Sequence, residues 1–350
     1  MMTPAAIPTS SDRPGKRRTW TLAALLAGLV AAGLGALSAG TYPVSLPDLW
    51  RVLAGGEPAG AGAADSRVAA AIVWQLRMPR VLLAMMVGGA LAASGAVFQA
   101  SFRNPLVEPY ILGVSSGAAF GAALGVVVPS FPMSVQVAAF AGALAAVGLV
   151  HAMTRRRADA PVVVLVLSGV IVGSMFAAGV SILKYLADDA ALRDIVFWLM
   201  GGFYFASWRD AWIAGAAIAV SGGVMAAGGW TLNVLAMGDH EAQTLGIEPR
   251  RARRVLLAAA TVATAVSVSV AGIVPWVGLM IPHAARMMVG SDNRLVVPAS
   301  MVLGALFLLA CDTAARSLTA SEIPVGIVTA LAGGPFLAYL VRERAAALAG

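Results

Sequence analysis

The chain has 350 residues, of which 59% are hydrophobic and only 12% charged, and its mean hydropathy is +0.84. A soluble domain of this size carries about a quarter charged residues, so a water-exposed globule is excluded and a bilayer is the solvent that fits. The single cysteine, Cys311, excludes an intrachain disulfide and a cysteine-built metal site. The net charge of +7 reads as membrane orientation and not as nucleic-acid binding, because no basic cluster is interleaved with surface aromatics.

A helix needs about 20 apolar residues to cross the hydrocarbon core. Uncharged runs place spans at Trp20–Gly40, Val81–Ala100, Tyr110–Val128, Ser134–Met153, Val162–Leu183 and Ala211–Leu235, then at Val255–Ala271, Val274–Val289, Leu295–Ala314 and Pro324–Val341. The first is too long for a signal-peptide core, although its basic start and the small residues near Ser38–Gly40 resemble one. The seventh and eighth run together without a charge from 255 to 285, but Gly272, Pro275 and Pro282 argue for a break.

The distribution of basic residues supports the break. With ten spans and both termini cytoplasmic, 16 of the 24 basic residues lie inside, in clusters such as Lys16–Arg18, Arg155–Arg157 and Arg250–Arg254. Merging the two spans leaves no orientation signal. The domain plan is a cytoplasmic tail over 1–19, one transmembrane domain over 20–344 with a cytoplasmic loop at 236–254, and a short tail over 345–350. Within the third span, Gly113, Gly117, Gly121 and Gly125 recur every four residues, so they share one helix face that admits a close neighbour.

Several chemistries are missing. No GxxxxGK[ST] phosphate loop occurs, nor HExxH, nor a pair of carboxylates inside a span. His151, His240 and His283 stand alone at helix ends or in loops. A proton- or sodium-coupled carrier or a channel wants ionisable or ion-coordinating groups at mid-depth, and an intramembrane enzyme wants a nucleophile with a base or a metal. Neither pattern is present, and no cofactor or metal site is expected.

Three segments outside the spans stand out. The loop AMGDHEAQTLGIEPRRARR at 236–254 predicts a short helix started by Asp239 and Glu241, ended by Gly246, and followed by a new helix from Pro249. A membrane protein without its own ATPase needs a surface that receives force from one, and this loop offers it. The second segment is RMPR before the second span, where Arg77 and Arg80 sit on the outer face against the positive-inside tendency. The third, FWLMGG at 197–202 running to Trp208–Arg209, reads as an aromatic interfacial belt or as a re-entrant turn.

Taken together these stretches resemble the permeases of ATP-binding-cassette (ABC) importers for ferric siderophores, haem and cobalamin. The resemblance covers about 46–344 and rests on RMPRVLLAMMVGGALAASGAVFQ (77–99), RNPLVEPYILGVSSGAAFGAALG (103–125), FWLMGGFYFASWRD (197–210), MGDHEAQTLGI (237–247), GIVPWVGLMIPHAARMMVGSDNRLVVP (272–298), DTAAR (312–316) and EIPVGIVTALAGGPF (322–336). It implies an all-α, polytopic, ten-helix subunit of type II importer architecture in the cell inner membrane. The implied partners are a second copy of itself, two ABC ATPase subunits, a periplasmic substrate-binding protein and membrane lipid, with no nucleic acid. It implies ATPase coupling through Met237, Asp239, Glu241, Leu245 and Gly246, and binding-protein docking through Arg77, Arg80 and Arg316. The implied path is lined by the fifth and tenth spans, with a gate near Asp159 and Ala160, where the family often has hydroxyl residues and this chain does not. The substrate stays open among an iron chelate, haem and cobalamin, and a molybdate-type member remains an alternative.

Overall fold

The computed structural model describes residues 14–40, 42, 44–56, 63–128, 130–154, 162–319 and 321–349. Among these residues the chain is all-helical, with no strand. In chain order the helices are α1 (Pro14–Ser38), α2 (Leu46–Leu53), α3 (Ala63–Ala71), α4 (Met78–Phe102), α5 (Val114–Val127), α6 (Val135–Thr154), α7 (Val162–Leu186) and α8 (Asp189–Met200). They continue as α9 (Trp208–Ala227), α10 (Gly229–Met237), α11 (Asp239–Thr244), α12 (Pro249–Ala271), α13 (Val277–Val289), α14 (Asn293–Ser317) and α15 (Val325–Ala349). A π-helical turn, Ile72–Arg77, leads into α4, and a 3-10 turn, Pro109–Leu112, leads into α5.

Seven stretches are long and apolar enough to cross a bilayer: Trp20–Ser38, Arg67–Phe102, Val135–Thr154, Val164–Leu186, Trp208–Ala227, Pro249–Ala271 and Asn293–Ser317. The shorter apolar helices Val114–Val127, Val277–Val289 and Val325–Tyr339 complete a ten-span bundle. The seventh and eighth spans are separate: α12 ends at Ala271, Gly272 turns the chain at φ 66°, and α13 starts at Val277. Helices are the form available to such spans because lipid offers no partner to a free backbone N–H or C=O.

Two expected spans are built differently. The third is not helical from Tyr110, because the 3-10 turn ends at Gly113 (φ 74°) and only then does α5 begin. The sixth breaks in two where α9 stops at Ala227 and α10 starts at Gly229. A side chain on Gly229 would lie 2.8 Å from Arg294 Cα, so the break lets α10 pass directly over the start of α14. Local polar caps fix the loop ends: Ser45 Oγ accepts from Asp48 N, Asp188 from Ala191 N, and Ser207 Oγ from Asp210 N.

At the centre is α4, packed against α9, α12, α13 and α14. Small residues permit this. A Cβ on Gly95 would come within 1.8 Å of Gly278 O, and one on Gly88 within 2.2 Å of Gly304 O, so backbone touches backbone. The periphery is different. Only 17% of the span in α1 and 22% of that in α7 is buried inside the chain, against 83% for the span that contains α4.

Candidate functional site

At one end of the bundle, the outer one in the expected topology, Arg77 and Arg80 at the start of α4 meet Arg316 of α14. Arg80 forks onto two carboxylates: Nη2 donates to Asp312 Oδ1 (2.9 Å), Nε to the same carboxylate, and Nη1 to Glu322 Oε2 (2.8 Å). The Asp312 side chain is fully buried. Arg316, one helical turn further along α14, lies 3.7 Å from Asp312 and donates to the carbonyls of Ala36 and Ala39. Arg77 donates to the carbonyls of Leu37 (2.7 Å), Ser38 (3.1 Å) and Tyr42. The last carbonyls of α1, which have no partner in their own helix, are thus capped by two arginines from other helices. Gly40 makes room for this, since a side chain there would lie 2.7 Å from Arg77 Nη2.

From the sequence, Arg77, Arg80 and Arg316 are expected to dock a binding protein on the outer face. Their relative exposures are 6%, 9% and 5%. A guanidinium engaged with buried carboxylates and carbonyls has no free fork to offer, and these bonds would first have to break for docking. The reason lies in partners remote in sequence, chiefly Asp312 and Glu322. Only the i, i+4 spacing within DTAAR hinted at an internal pairing.

The inner end is built more loosely. The helix α11 starts after Gly238 and ends in a Schellman cap: Gly246 (φ 79°) donates to Gln243 O (3.0 Å), and Ile247 to Ala242 O (2.9 Å). Helix, glycine turn and Pro249 restart fall where the sequence placed them. Met237 and Leu245 are exposed at 66% and 52%, so they present an apolar edge. Glu241 folds back against Gly238 at the helix start.

Asp239 instead turns inward. Its carboxylate accepts from Arg103 Nη2 (2.8 Å) and from Arg253 Nη2 (2.8 Å) and Nη1 (3.3 Å). Hydrogen bonds from Arg253, then the charges of Arg253 and Arg103, hold this carboxyl below its ordinary range. Arg103 has a left-handed backbone (φ 51°), and its Nε also donates to Leu235 O (3.1 Å) near the end of α10. One side chain therefore links the end of α4, the end of α10 and the start of α11. Arg103 and Arg253 were not singled out in sequence, where they are indistinguishable from the other inner arginines.

Beneath this joint, Pro282 interrupts α13 and has no N–H for Gly278 O. Gln99 of α4 compensates, its Nε2 donating to Leu279 O (3.1 Å) and Gly278 O (3.4 Å). Arg286 Nη1 in turn donates to Gln99 Oε1 (2.5 Å).

The glycines of the third span divide. A Cβ on Gly117 would meet Gly142 O at 2.4 Å, and one on Gly121 would meet Ala138 O at 2.0 Å, so these two seat α5 on α6. At Gly125 the nearest neighbour is at 3.4 Å, and Gly113 is the turn before α5, facing Gly169 and Gly173 of α7. The expected gate residues Asp159 and Ala160 lie outside the described residues. Leu167, Val170, Ile171, Met175 and Ile182 on α7 and Leu331 on α15 are exposed in the single chain.

Comparison with known proteins agrees with this architecture. Residues 27–343 match the model of the FecCD transport family. Over 274 residues the chain is 45% identical to the cobalamin import system permease protein BtuC of Halobacterium salinarum, covering 78% of this chain and 74% of that one. It is 36% identical to the hemin transport system permease protein HmuU of Yersinia pestis (91% and 95% covered). It is 35% identical to the molybdate import system permease protein MolB of Haemophilus influenzae (89% and 92% covered). A solved inward-facing metal-chelate type ABC transporter superposes with a TM-score of 0.82 at 32% identity, covering 93% of this chain and 99% of its own. With the match spanning nearly every helix of the bundle, the chain belongs to the FecCD transport family and is a multi-pass permease subunit of an ABC importer.

Proposed function

We propose that this permease moves an iron chelate or cobalamin inward, driven by separate ATPase subunits and supplied by a substrate-binding protein. The observation that carries the reading is the family match over 27–343 on a ten-span fold. The relatives' names support the cargo class, since BtuC is named for cobalamin and HmuU for hemin. A molybdate cargo is the second reading, favoured by the similarity to MolB over 89% of this chain.

In this reading the chain pairs with a second copy, which covers the exposed apolar residues of α7 and α15. The path then runs along the shared interface. The edge formed by Met237, Leu245 and the Gly246 cap meets the ATPase, while Asp239 faces its own chain and fixes the angle of α11. The membrane is the cell inner membrane, with both termini on the cytoplasmic side, as the positive-inside count supports.

Reconstitution tests this. In liposomes the permease alone should neither hydrolyse ATP nor accumulate cobalamin or a ferric chelate, and adding the ATPase subunits and binding protein should start ATP-dependent uptake. Uptake driven by a proton gradient without any ATPase would overturn it.

A further inference from the structure

Among the described residues, the inner end of the bundle contains a charge without a counter-ion. Arg286, on the last turns of α13, has one hydrogen-bonding partner, the neutral amide oxygen of Gln99. Among the described residues its guanidinium pairs with no carboxylate, whereas Arg80, Arg103, Arg253, Arg294 and Arg316 all do. A charge withdrawn from water without an opposite charge is costly, and such groups are ordinarily paired.

Arg286 borders a crevice of about 470 Å³ that is also lined by Gln99, Arg103, Asn104, His283 and Asn293. Among the described residues no carboxylate lines it. Asn293 is 5% exposed, and its Oδ1 is buried without a hydrogen-bond partner, although its Nδ2 is held by Asn233. The crevice therefore offers a guanidinium lacking an anion, beside an asparagine whose oxygen is enclosed by the protein. Pro105, Ala236 and the exposed Met287 complete its wall with apolar surface.

We propose that this crevice binds a phosphate group, contributed by an anionic lipid headgroup of the inner leaflet or by free phosphate. The phosphate oxygens take the Arg286 fork, for which planar guanidinium geometry is suited. Basic pockets between helices at the cytoplasmic surface are where anionic headgroups settle, and Arg286 is at that level in the ten-span topology.

The test needs only the purified full-length permease, so its outcome is independent of whether the cargo assignment holds. Thermal unfolding is measured in detergent with inorganic phosphate against chloride at equal ionic strength, and in phosphatidylcholine nanodiscs with and without phosphatidylglycerol. The wild type should be stabilised by phosphate, by phosphatidylglycerol, or by both, and the responding arm identifies the source. Arg286→Gln should weaken the apparent affinity about tenfold, the loss of one charge-assisted hydrogen bond, and Arg286→Lys should retain part of it. Arg103→Gln removes the second charge and leaves the Gln99–Arg286 bond intact, so it should weaken binding even if Arg286→Gln fails to fold. Equal responses in wild type, Arg286→Gln and Arg103→Gln would overturn the proposal. So would stabilisation in neither arm with protection appearing only when the ATPase subunit is added, which would make the counter-ion a protein carboxylate.

Discussion

The outer and inner ends of the bundle use the same chemistry to different effect. Each has a carboxylate shared by two arginines: Asp312 with Arg80 and Arg316 outside, and Asp239 with Arg103 and Arg253 inside. The Asp312 side chain has no exposure, while that of Asp239 is 52% exposed. Burial strengthens the Coulomb attraction and makes any unpaired member expensive, so the outer group acts as a clamp on α1, α4 and α14. In water the inner pairs are weak and screened. They cost little to break, which suits the proposed role of this surface in receiving force from an ATPase.

The sharpest way to break the comparison is at the clamp. Arg80→Ala leaves Asp312 buried beside a hole and should destabilise the protein by about 3–5 kcal/mol, read as a large drop in thermal midpoint or in folded yield. Arg77→Glu and Arg316→Glu should also fail at folding, because each removes the cap on α1. A well-folded Arg77→Glu, Arg80→Glu, Arg316→Glu triple variant with altered binding-protein affinity would instead support the docking role.

Next in size is the cap of α11. Gly246→Pro removes the N–H that donates to Gln243 O, and Gly246→Val strains a φ of 79°. Either variant should insert and fold. In the reconstituted importer transport should fall several-fold while ATP hydrolysis persists. Normal coupling with Pro at 246 would exclude this turn from force transfer.

Smaller again is the inner ion pair. Asp239→Asn should change stability by under about 1 kcal/mol, as exposed pairs do, yet raise hydrogen exchange of the amides in 239–248. An equally large stability loss for Asp239→Asn and Arg80→Ala would remove the distinction between clamp and joint.

The smallest effect is on pH. Because Arg253 and Arg103 lower the Asp239 pKa, this pairing contributes stability that is fully present above the unfolded value of about 4 and is lost as pH falls through the lower folded value. The protection factors of the amides in 239–248, which remove the intrinsic pH dependence of exchange, should therefore stay flat from pH 7 to about 5 and fall only in stronger acid. A fall near pH 6 would overturn the assignment to Asp239.

Much was legible in the chain itself. The spans follow from uncharged runs, because crossing lipid is a local, additive property of about 20 residues. The break between the seventh and eighth spans and the α11 turn follow from Gly272, Gly246 and Pro249, whose backbone preferences are also local. The tertiary structure alone decided the fate of the charges. Arg80 meets Asp312 across 232 positions and Glu322 across 242, and Arg103 meets Asp239 across 136. No window on the sequence joins such residues. The same reason separates Gly117, Gly121 and Gly125, which face α6, from Gly113, which keeps the four-residue spacing but faces α7. Spacing determines which face a residue occupies, and only packing determines what that face meets.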